Sequence, residues 1–142
     1  MTHRKIVLCD IDHTLADAYW RDPMIGSETW DEYHSASIDD EPLHDVVDLV
    51  NALSAAYSIV CLTARPEKWR KLTMEWLLRH SLQIDELLMR PDDDYSAAAE
   101  SKRKLIAGRE PEVAFVLEDR EDVAAMFKGL NITVLQVSAR RR

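Results

Sequence analysis

The chain has 142 residues, 46% of them hydrophobic, and carries a formal net charge of −8 at pH 7. This length fits a single domain over residues 1–142 with a real core, and the apolar content argues against disorder. No apolar stretch approaches the roughly 20 residues of a membrane span, and no signal peptide precedes the first predicted strand. We therefore expect a soluble, cytoplasmic protein with no membrane contact.

The first predicted element is an apolar strand that ends in two aspartates. Residues 6–9 read Ile-Val-Leu-Cys, and Asp10 and Asp12 follow. Such a run is typical of a strand covered on both faces, and ligands bind at the carboxyl ends of these strands in α/β sheets. Two close carboxylates repel, which raises the pKa of at least one of them unless cations or phosphate-binding donors compensate. The pair suits a divalent metal and a proton carrier, whereas the alternative is a solvated acidic loop.

Residues 17–41 do not fit a regular strand or helix pattern. Long irregular stretches in a compact domain are usually lids or mobile loops with a function. This one contains Trp20, Arg21, Trp30, Tyr33 and His34. Its aromatic side chains either stack on a nucleic-acid base or pack the segment onto the domain.

Helices and strands alternate from residue 42 to the end of the chain. We predict helices over residues 42–57, 66–77, 95–107 and 120–128, and strands over residues 58–62, 86–89, 113–117 and 132–137. Pro42 and Pro66 stand at tolerated first-turn positions, and Gly108 is a typical helix end. This alternation predicts a three-layer α/β/α domain around a central, mostly parallel five-stranded sheet.

Polar residues whose side chains could take part in a reaction follow two of these strands and lie on one helix. Thr63-Ala64-Arg65 follows the second strand, Lys102 lies on a predicted helix, and Glu118-Asp119-Arg120 follows a later strand. The chain therefore presents an acid pair, a hydroxyl, a lysine and a second acid pair in that order.

This order resembles the haloacid dehalogenase (HAD) superfamily, whose motifs are an Asp-x-Asp loop, a Ser or Thr ending the next strand, a Lys and a terminal acidic pair. The chain looks most like the 3′-phosphatase domain of phage-type polynucleotide kinase/phosphatase. The closer likeness rests on Asp10-Ile-Asp12-x-Thr14-Leu15-Ala16, Arg21, Thr63-x-Arg65, Lys102, Glu118-Asp119-Arg120 and residues 133–137. The resemblance implies a Rossmann-like HAD fold with a small cap insertion at about residues 17–41, which leaves the cleft open to bulky substrates.

The sequence departs from that pattern in three ways. His13 stands where many members carry Gly, and Glu118 stands where the related phosphatases often carry Asp. A left-handed backbone at His13 has a steric cost, and a longer side chain at Glu118 changes how a metal is reached. There is no Gly-x-x-x-x-Gly-Lys-Ser/Thr phosphate loop, so a kinase or ligase partner would be a separate chain.

The resemblance also implies roles for single residues. Asp10 would be the nucleophile and Asp12 the acid and base, while Thr63 and Lys102 would bind the phosphoryl group. Lys104 is the competing lysine.

The same resemblance implies metal and substrate ligands. Mg²⁺ would be held by Asp10, the main-chain carbonyl of Asp12, and Asp119, with Glu118 and Asp122 as weaker candidates. Arg21 and Arg65 would either bind substrate phosphate or only pair with a carboxylate.

Three functions are compatible with this site. The first is a Mg²⁺-dependent phosphomonoesterase that removes the 3′-phosphate from a nucleic-acid end or a nucleotide. The second is a nucleotide phosphotransferase, kinase or nucleotidase that uses the same aspartyl-phosphate. The third is a non-catalytic nucleotide-binding module. A short end or a single nucleotide fits the acidic chain best. Within one Debye length, a metal and a few local cations outweigh the repulsion from the more distant negative charges of the protein. The resemblance points to phage or bacterial DNA or RNA repair, or to nucleotide metabolism.

Overall fold

The computed structural model describes residues 4–138, and a five-stranded parallel sheet forms their central layer. The strands are β1 (Ile6–Cys9), β2 (Ala16–Asp17), β3 (Glu41–Pro42), β4 (Ser58–Pro66), β5 (Glu86–Arg90), β6 (Val113–Glu118) and β7 (Val134–Gln136). The helices are α1 (Trp30–Ser35), α2 (His44–Leu53), α3 (Arg70–Arg79), α4 (Ala98–Leu105) and α5 (Glu121–Gly129). The α/β/α architecture predicted from the sequence is confirmed.

The order of the sheet, β5-β4-β1-β6-β7, places β1 in its middle. β1 pairs in parallel with β4 on one side and with β6 on the other. The carboxyl ends of these three strands therefore meet at one edge, and they carry Asp10, Thr63 and Asp119 to the same place.

Alternate residues of β1 supply two hydrophobic cores, one on each face of the sheet. Val7 and Cys9 belong to the core that also contains the fully buried Trp76 of α3. Ile6 and Leu8 belong to the core that contains Phe127 of α5. Because successive side chains of a strand point to opposite faces, burial on both sides requires the continuous apolar run that the sequence shows.

Two helices begin later than the prolines predict. Pro66 is the last residue of β4, and α3 begins only at Arg70, after a 3₁₀ turn over Glu67–Trp69. The residue before a proline favours extended backbone, so Arg65 continues the strand. Pro42 likewise pairs with Ala16 in the β2–β3 ribbon, and α2 begins at His44.

Residues 17–41, here called the insertion, start and end on that two-stranded ribbon. Between its ends lie a 3₁₀ turn over Tyr19–Met24, helix α1 and a second 3₁₀ turn over Ala36–Asp39. The segment is therefore built of short ordered elements rather than one long loop. Across residues 4–138, no helix has the length and apolar character required to cross a membrane.

Candidate active site

Asp10 lies at the floor of the cleft, directly after the central strand. Its main-chain N–H donates to the carbonyl of Leu117 at 3.0 Å, which extends the pairing with β6. The carboxylate accepts hydrogen bonds on both oxygens, from Lys102 Nζ to Oδ1 at 2.8 Å and from Thr14 Oγ1 to Oδ2 at 3.0 Å. The side chain of Asp10 is therefore held in one orientation, with 9% of it exposed.

Lys102, rather than Lys104, is the lysine that reaches Asp10. Its buried Nζ contacts Asp10 and also donates to Glu118 Oε1 and Oε2 at 3.1 and 3.3 Å. Burial alone would lower the pKa of Lys102, but the carboxylates of Asp10 and Glu118 outweigh it and raise the pKa, so the ammonium is charged at neutral pH. Lys104 is half-exposed and bonds to Asp94 at 3.1 Å.

Three carboxylates converge beside this lysine. Asp10, Glu118 and Asp119 each offer an oxygen, and these atoms all lie within 4.8 Å of one another. Burial, reinforced by the neighbouring Asp10, raises the pKa of Glu118 to about 9 and that of Asp119 to about 8. None of the described residues donates a hydrogen bond to the buried Oδ1 of Asp119.

This cluster fits a divalent metal ion. Hard cations such as Mg²⁺ prefer carboxylate oxygens, and an ion here would stabilise the charged forms that burial disfavours. The side chain of Asp12 is directed elsewhere. Asp122 lies at the exposed start of α5, where Arg120 holds it through two hydrogen bonds at 3.0 and 2.8 Å.

Asp12 is paired with two arginines. Arg65 donates from Nε to Oδ2 at 3.1 Å and from Nη2 to Oδ1 at 2.6 Å, and Arg21 donates from Nη2 to Oδ1 at 2.9 Å. Burial alone would raise the pKa of Asp12, but Arg65 and then Arg21 outweigh it and hold the pKa well below its usual range. The repulsion expected between the two aspartates is thus offset by cations at Asp12.

Arg21, the second arginine at Asp12, is completely buried. Its Nε and Nη2 donate to the two carboxylate oxygens of Asp40 at 2.8 and 2.7 Å, and its Nη1 donates to the carbonyl of Tyr33 at 3.2 Å. Asp40 also accepts from Trp20 Nε1 at 2.8 Å. Sequence analysis missed Asp40, because an acid just before a predicted helix carries no sign that it will be buried.

Thr63 lies in the carboxyl-terminal half of β4, two residues before Arg65. It is buried, and its Oγ1 accepts a hydrogen bond from the main-chain N–H of Arg65 at 3.1 Å. The side chain of Arg65 is also anchored, because its Nη1 donates a hydrogen bond to Thr73 Oγ1 at 3.3 Å. Both residues face the cleft.

The cleft above these side chains has a volume of about 780 Å³. Its floor includes the carboxylates and cations of the motifs, namely Asp10, Asp12, Thr63, Arg65 and Lys102. The insertion contributes one wall through Trp30, Tyr33 and His34. An anionic group in this cleft would meet Lys102 and Arg65 next to Asp10.

Comparison with known families decides what this arrangement belongs to. A model of the phosphatase domain of polynucleotide kinase PNKP matches residues 4–140. The chain belongs to this family. It is a HAD-type phosphatase, as the order of the motifs predicted.

Solved structures support the assignment to the PNKP phosphatase-domain family. A chain in the Pnkp1/Rnl/Hen1 complex is 26% identical, with a TM-score of 0.81 over 96% of this chain and 47% of that one. A chain in the Pnkp1/Rnl/Hen1 RNA repair complex is 27% identical, with a TM-score of 0.82 over 95% of this chain and 42% of that one. This chain thus spans less than half the length of those relatives.

More distant structures share the fold. The haloacid dehalogenase-like family protein SP0104 from Streptococcus pneumoniae has a TM-score of 0.70 at 14% identity, over 97% of this chain and 86% of that one. None of the curated proteins matches the sequence.

His13 keeps a left-handed backbone in this PNKP-type loop although it is not glycine. Its φ is 65°, a conformation that costs a non-glycine residue on the order of 1–3 kcal/mol. The imidazole ring packs on Tyr19 at 4.0 Å between ring centres, and its Nε2 lies 3.8 Å from Asp22. The loop that joins Asp10 to Thr14 therefore retains its turn despite the substitution.

Proposed function

We propose that the protein is a Mg²⁺-dependent phosphomonoesterase that removes the 3′-phosphate from nucleic-acid ends or nucleotides through an aspartyl-phosphate on Asp10. The observation that carries the proposal is the fixed Asp10 carboxylate at the cleft floor, in contact with Lys102 and clustered with Glu118 and Asp119. Membership of the PNKP phosphatase-domain family supports the choice of substrate.

In the first step, an Asp10 oxygen attacks phosphorus while the bond to the 3′-oxygen of the substrate breaks. A covalent intermediate divides one difficult displacement into two easier ones. The Lys102 ammonium faces the reacting group and stabilises its developing negative charge, and the Thr63 hydroxyl donates to a phosphoryl oxygen. In the second step, water attacks phosphorus and releases inorganic phosphate and free Asp10.

Asp12 is assigned as the acid that protonates the leaving 3′-oxygen and the base that then deprotonates water. Arg65 and Arg21 keep Asp12 ionised before substrate binds. A phosphate monoester next to Arg65 brings negative charge close to Asp12 and raises the pKa of Asp12. Asp12 then takes up a proton from water or from the monoester itself, and donates this proton to the leaving 3′-oxygen. The two arginines thus orient Asp12, while Arg65 also faces the incoming phosphate.

Asp10, Glu118 and Asp119 are the side chains that would hold Mg²⁺, with the main-chain carbonyl of Asp12 as a further ligand. The bound ion would offset the repulsion between the Asp10 carboxylate and the substrate phosphate. Glu118 also accepts hydrogen bonds from Lys102 on both oxygens, so it would position this lysine as well as contribute to the carboxylate cluster.

We assign the insertion as a small cap, within a single domain, that leaves the cleft open. An open cleft suits a polymer end better than an enclosed pocket does. The 142 residues contain no phosphate-loop motif, so kinase activity that accompanies end repair would reside outside them. We propose a separate kinase or ligase as a partner, since the similar chains named above come from multi-protein complexes, one of them described as an RNA repair complex.

Phosphate release from a matched panel tests this function. The substrates are a 3′-phosphorylated oligonucleotide, its 5′-phosphorylated counterpart, and nucleoside 3′- and 5′-monophosphates, each with Mg²⁺. We expect preference for the 3′-phosphates and loss of turnover in Asp10→Asn without unfolding. Full activity of Asp10→Asn would falsify the mechanism. Transfer of the phosphoryl group to an added nucleoside, in place of release as inorganic phosphate, would identify a phosphotransferase.

A further inference from the structure

Arg90 lines the cleft but takes no part in the proposed mechanism. It is the last residue of β5. Its Nε donates to the carbonyl of Ala64 at 2.9 Å, and its Nη1 donates to the carbonyls of Asp94 and Ser96 at 3.1 and 2.6 Å. These three hydrogen bonds end on main-chain oxygens of two segments that lie far apart in the sequence, and none of the three ends on a carboxylate.

The first segment is an irregular stretch of β4. The register of β4 against β5 shifts after Thr63, and the next two residues of β4 stand without a partner on β5. Such a bulge redirects side chains, and bulges are frequent next to active sites. Here the bulge contains Arg65, whose side chain reaches Asp12. A bulge also takes main-chain groups out of the ladder, and Arg90 satisfies one of them, the carbonyl of Ala64.

The second segment is the turn that precedes α4. Asp94 closes this turn, because its Oδ1 accepts a hydrogen bond from the main-chain N–H of Ser96 at 3.0 Å. Soon after the turn, α4 begins at Ala98, and it carries Lys102, whose Nζ lies 2.8 Å from Asp10 Oδ1. A displacement of the turn would therefore move a short helix and, with it, the ammonium beside the nucleophile.

We propose that Arg90 is a positioning residue that joins the bulge of β4 to the turn before α4, a connection here called the clamp, and thereby holds Arg65 and Lys102 in place. The inference rests on the proposed function, in which these two cations face the phosphoryl group. A planar guanidinium presents its donors in a fixed fork, so one side chain sets the distance between two segments. Such support matters for catalysis, since a misplacement of about 1 Å lowers the rate by up to roughly 100-fold.

Hydrolysis of p-nitrophenyl phosphate with Mg²⁺ gives the first test. We expect Arg90→Ala to lower kcat/KM by roughly tenfold to 100-fold, in protein that thermal denaturation shows to be folded at the assay temperature. Added guanidinium chloride, well below the concentrations that unfold the protein, should restore part of this rate but none of the rate lost in Lys102→Ala. Arg109→Ala is the matched control and should keep the wild-type rate, because Arg109 anchors the opposite end of β5 through two hydrogen bonds to Glu86, both at 3.1 Å.

The side-chain signals of two arginines provide a second test that does not require turnover. In nitrogen–proton correlation spectra, the Nε–H signal of Arg65, which is bonded to Asp12, should shift or broaden in Arg90→Ala. The same change should occur in Arg90→Lys, which keeps the charge but lacks the planar fork. The Nε–H signal of Arg21, which is bonded to Asp40, should stay in place.

These measurements separate the clamp from the proposed function. Absence of phosphate release by the wild type from every substrate would overturn the proposed function, while a selective change of the Arg65 signal would still support the clamp. An unchanged Arg65 signal in both Arg90 variants, or equal changes of the Arg65 and Arg21 signals, would overturn the clamp. A wild-type value of kcat/KM in Arg90→Ala, or an equal loss in Arg109→Ala, would overturn it as well.

Discussion

Arg21 and Asp40 form a buried bidentate ion pair, with Nε and Nη2 of the arginine 2.8 and 2.7 Å from the two carboxylate oxygens. The same Nη2 donates to Asp12 at 2.9 Å. Asp40, at the end of the insertion, therefore positions the guanidinium that holds Asp12. This contact links the insertion to Asp12, the proposed acid and base.

We predict that the Arg21–Asp40 pair affects both the stability of the fold and the rate of turnover, and that variants can separate the two effects. Asp40→Leu alone should lower the free energy of unfolding by up to about 3–5 kcal/mol, because the buried Arg21 guanidinium loses its bidentate carboxylate and keeps only the single contact with Asp12. The double variant Arg21→Met with Asp40→Leu should recover much of that loss but should turn over at least tenfold more slowly than wild type, since Asp12 lacks its second cation. Urea unfolding and initial rates check both points. Wild-type rates in the double variant would contradict this role.

Lys102 and Lys104 provide a matched pair of substitutions. Lys102→Ala should reduce kcat by roughly 100-fold or more, because it removes a preorganised charge beside the reacting group. Lys104→Ala should change kcat by no more than about twofold, because the half-exposed Lys104 ammonium bonds to Asp94 and not to Asp10. The measurement is kcat at saturating substrate and Mg²⁺. Equal losses in the two variants would argue against the contact with Asp10 as the source of the effect.

Mg²⁺ should stabilise the folded protein as well as activate it. A ligand that binds only the folded state adds about 2.7 kcal/mol to stability at 100 times its Kd. We expect Mg²⁺ to raise the Tm of the wild type and of Asp122→Asn, but to have little effect on Asp119→Asn, which lacks one of the clustered carboxylates. Calorimetry with and without EDTA gives the answer. If Mg²⁺ raises the Tm of Asp119→Asn as much as that of the wild type, the metal does not bind at this cluster.

The left-handed turn at His13 gives a prediction about stability alone. His13→Gly and His13→Ala both remove the ring contact with Tyr19, but only glycine relieves the strain at φ 65°. His13→Gly should therefore be about 1 kcal/mol more stable than His13→Ala. Chemical denaturation of the two variants measures the difference. If alanine is the more stable of the two, backbone strain at this position is not significant.

Much of the fold is determined by local sequence. A four-residue apolar run buried on both faces specifies β1, and the alternation of such runs with helical spacing specifies a parallel sheet. Because parallel strands present their carboxyl ends at one edge, the order Asp10, Thr63 and Asp119 places these residues together before any contact is known. The resemblance to the HAD superfamily follows from that same order, and the match of the family model confirms it.

Other features depend on contacts between distant segments. The resemblance favours Lys102 over its competitor Lys104, but only the packing of α4 shows that Lys102 reaches Asp10 whereas Lys104 bonds to Asp94. The burial of Asp40 depends likewise on its contacts with Arg21 and with Trp76 of α3. Sequence periodicity reports which face of an element is apolar, whereas buried ion pairs are set by long-range geometry that no single segment encodes.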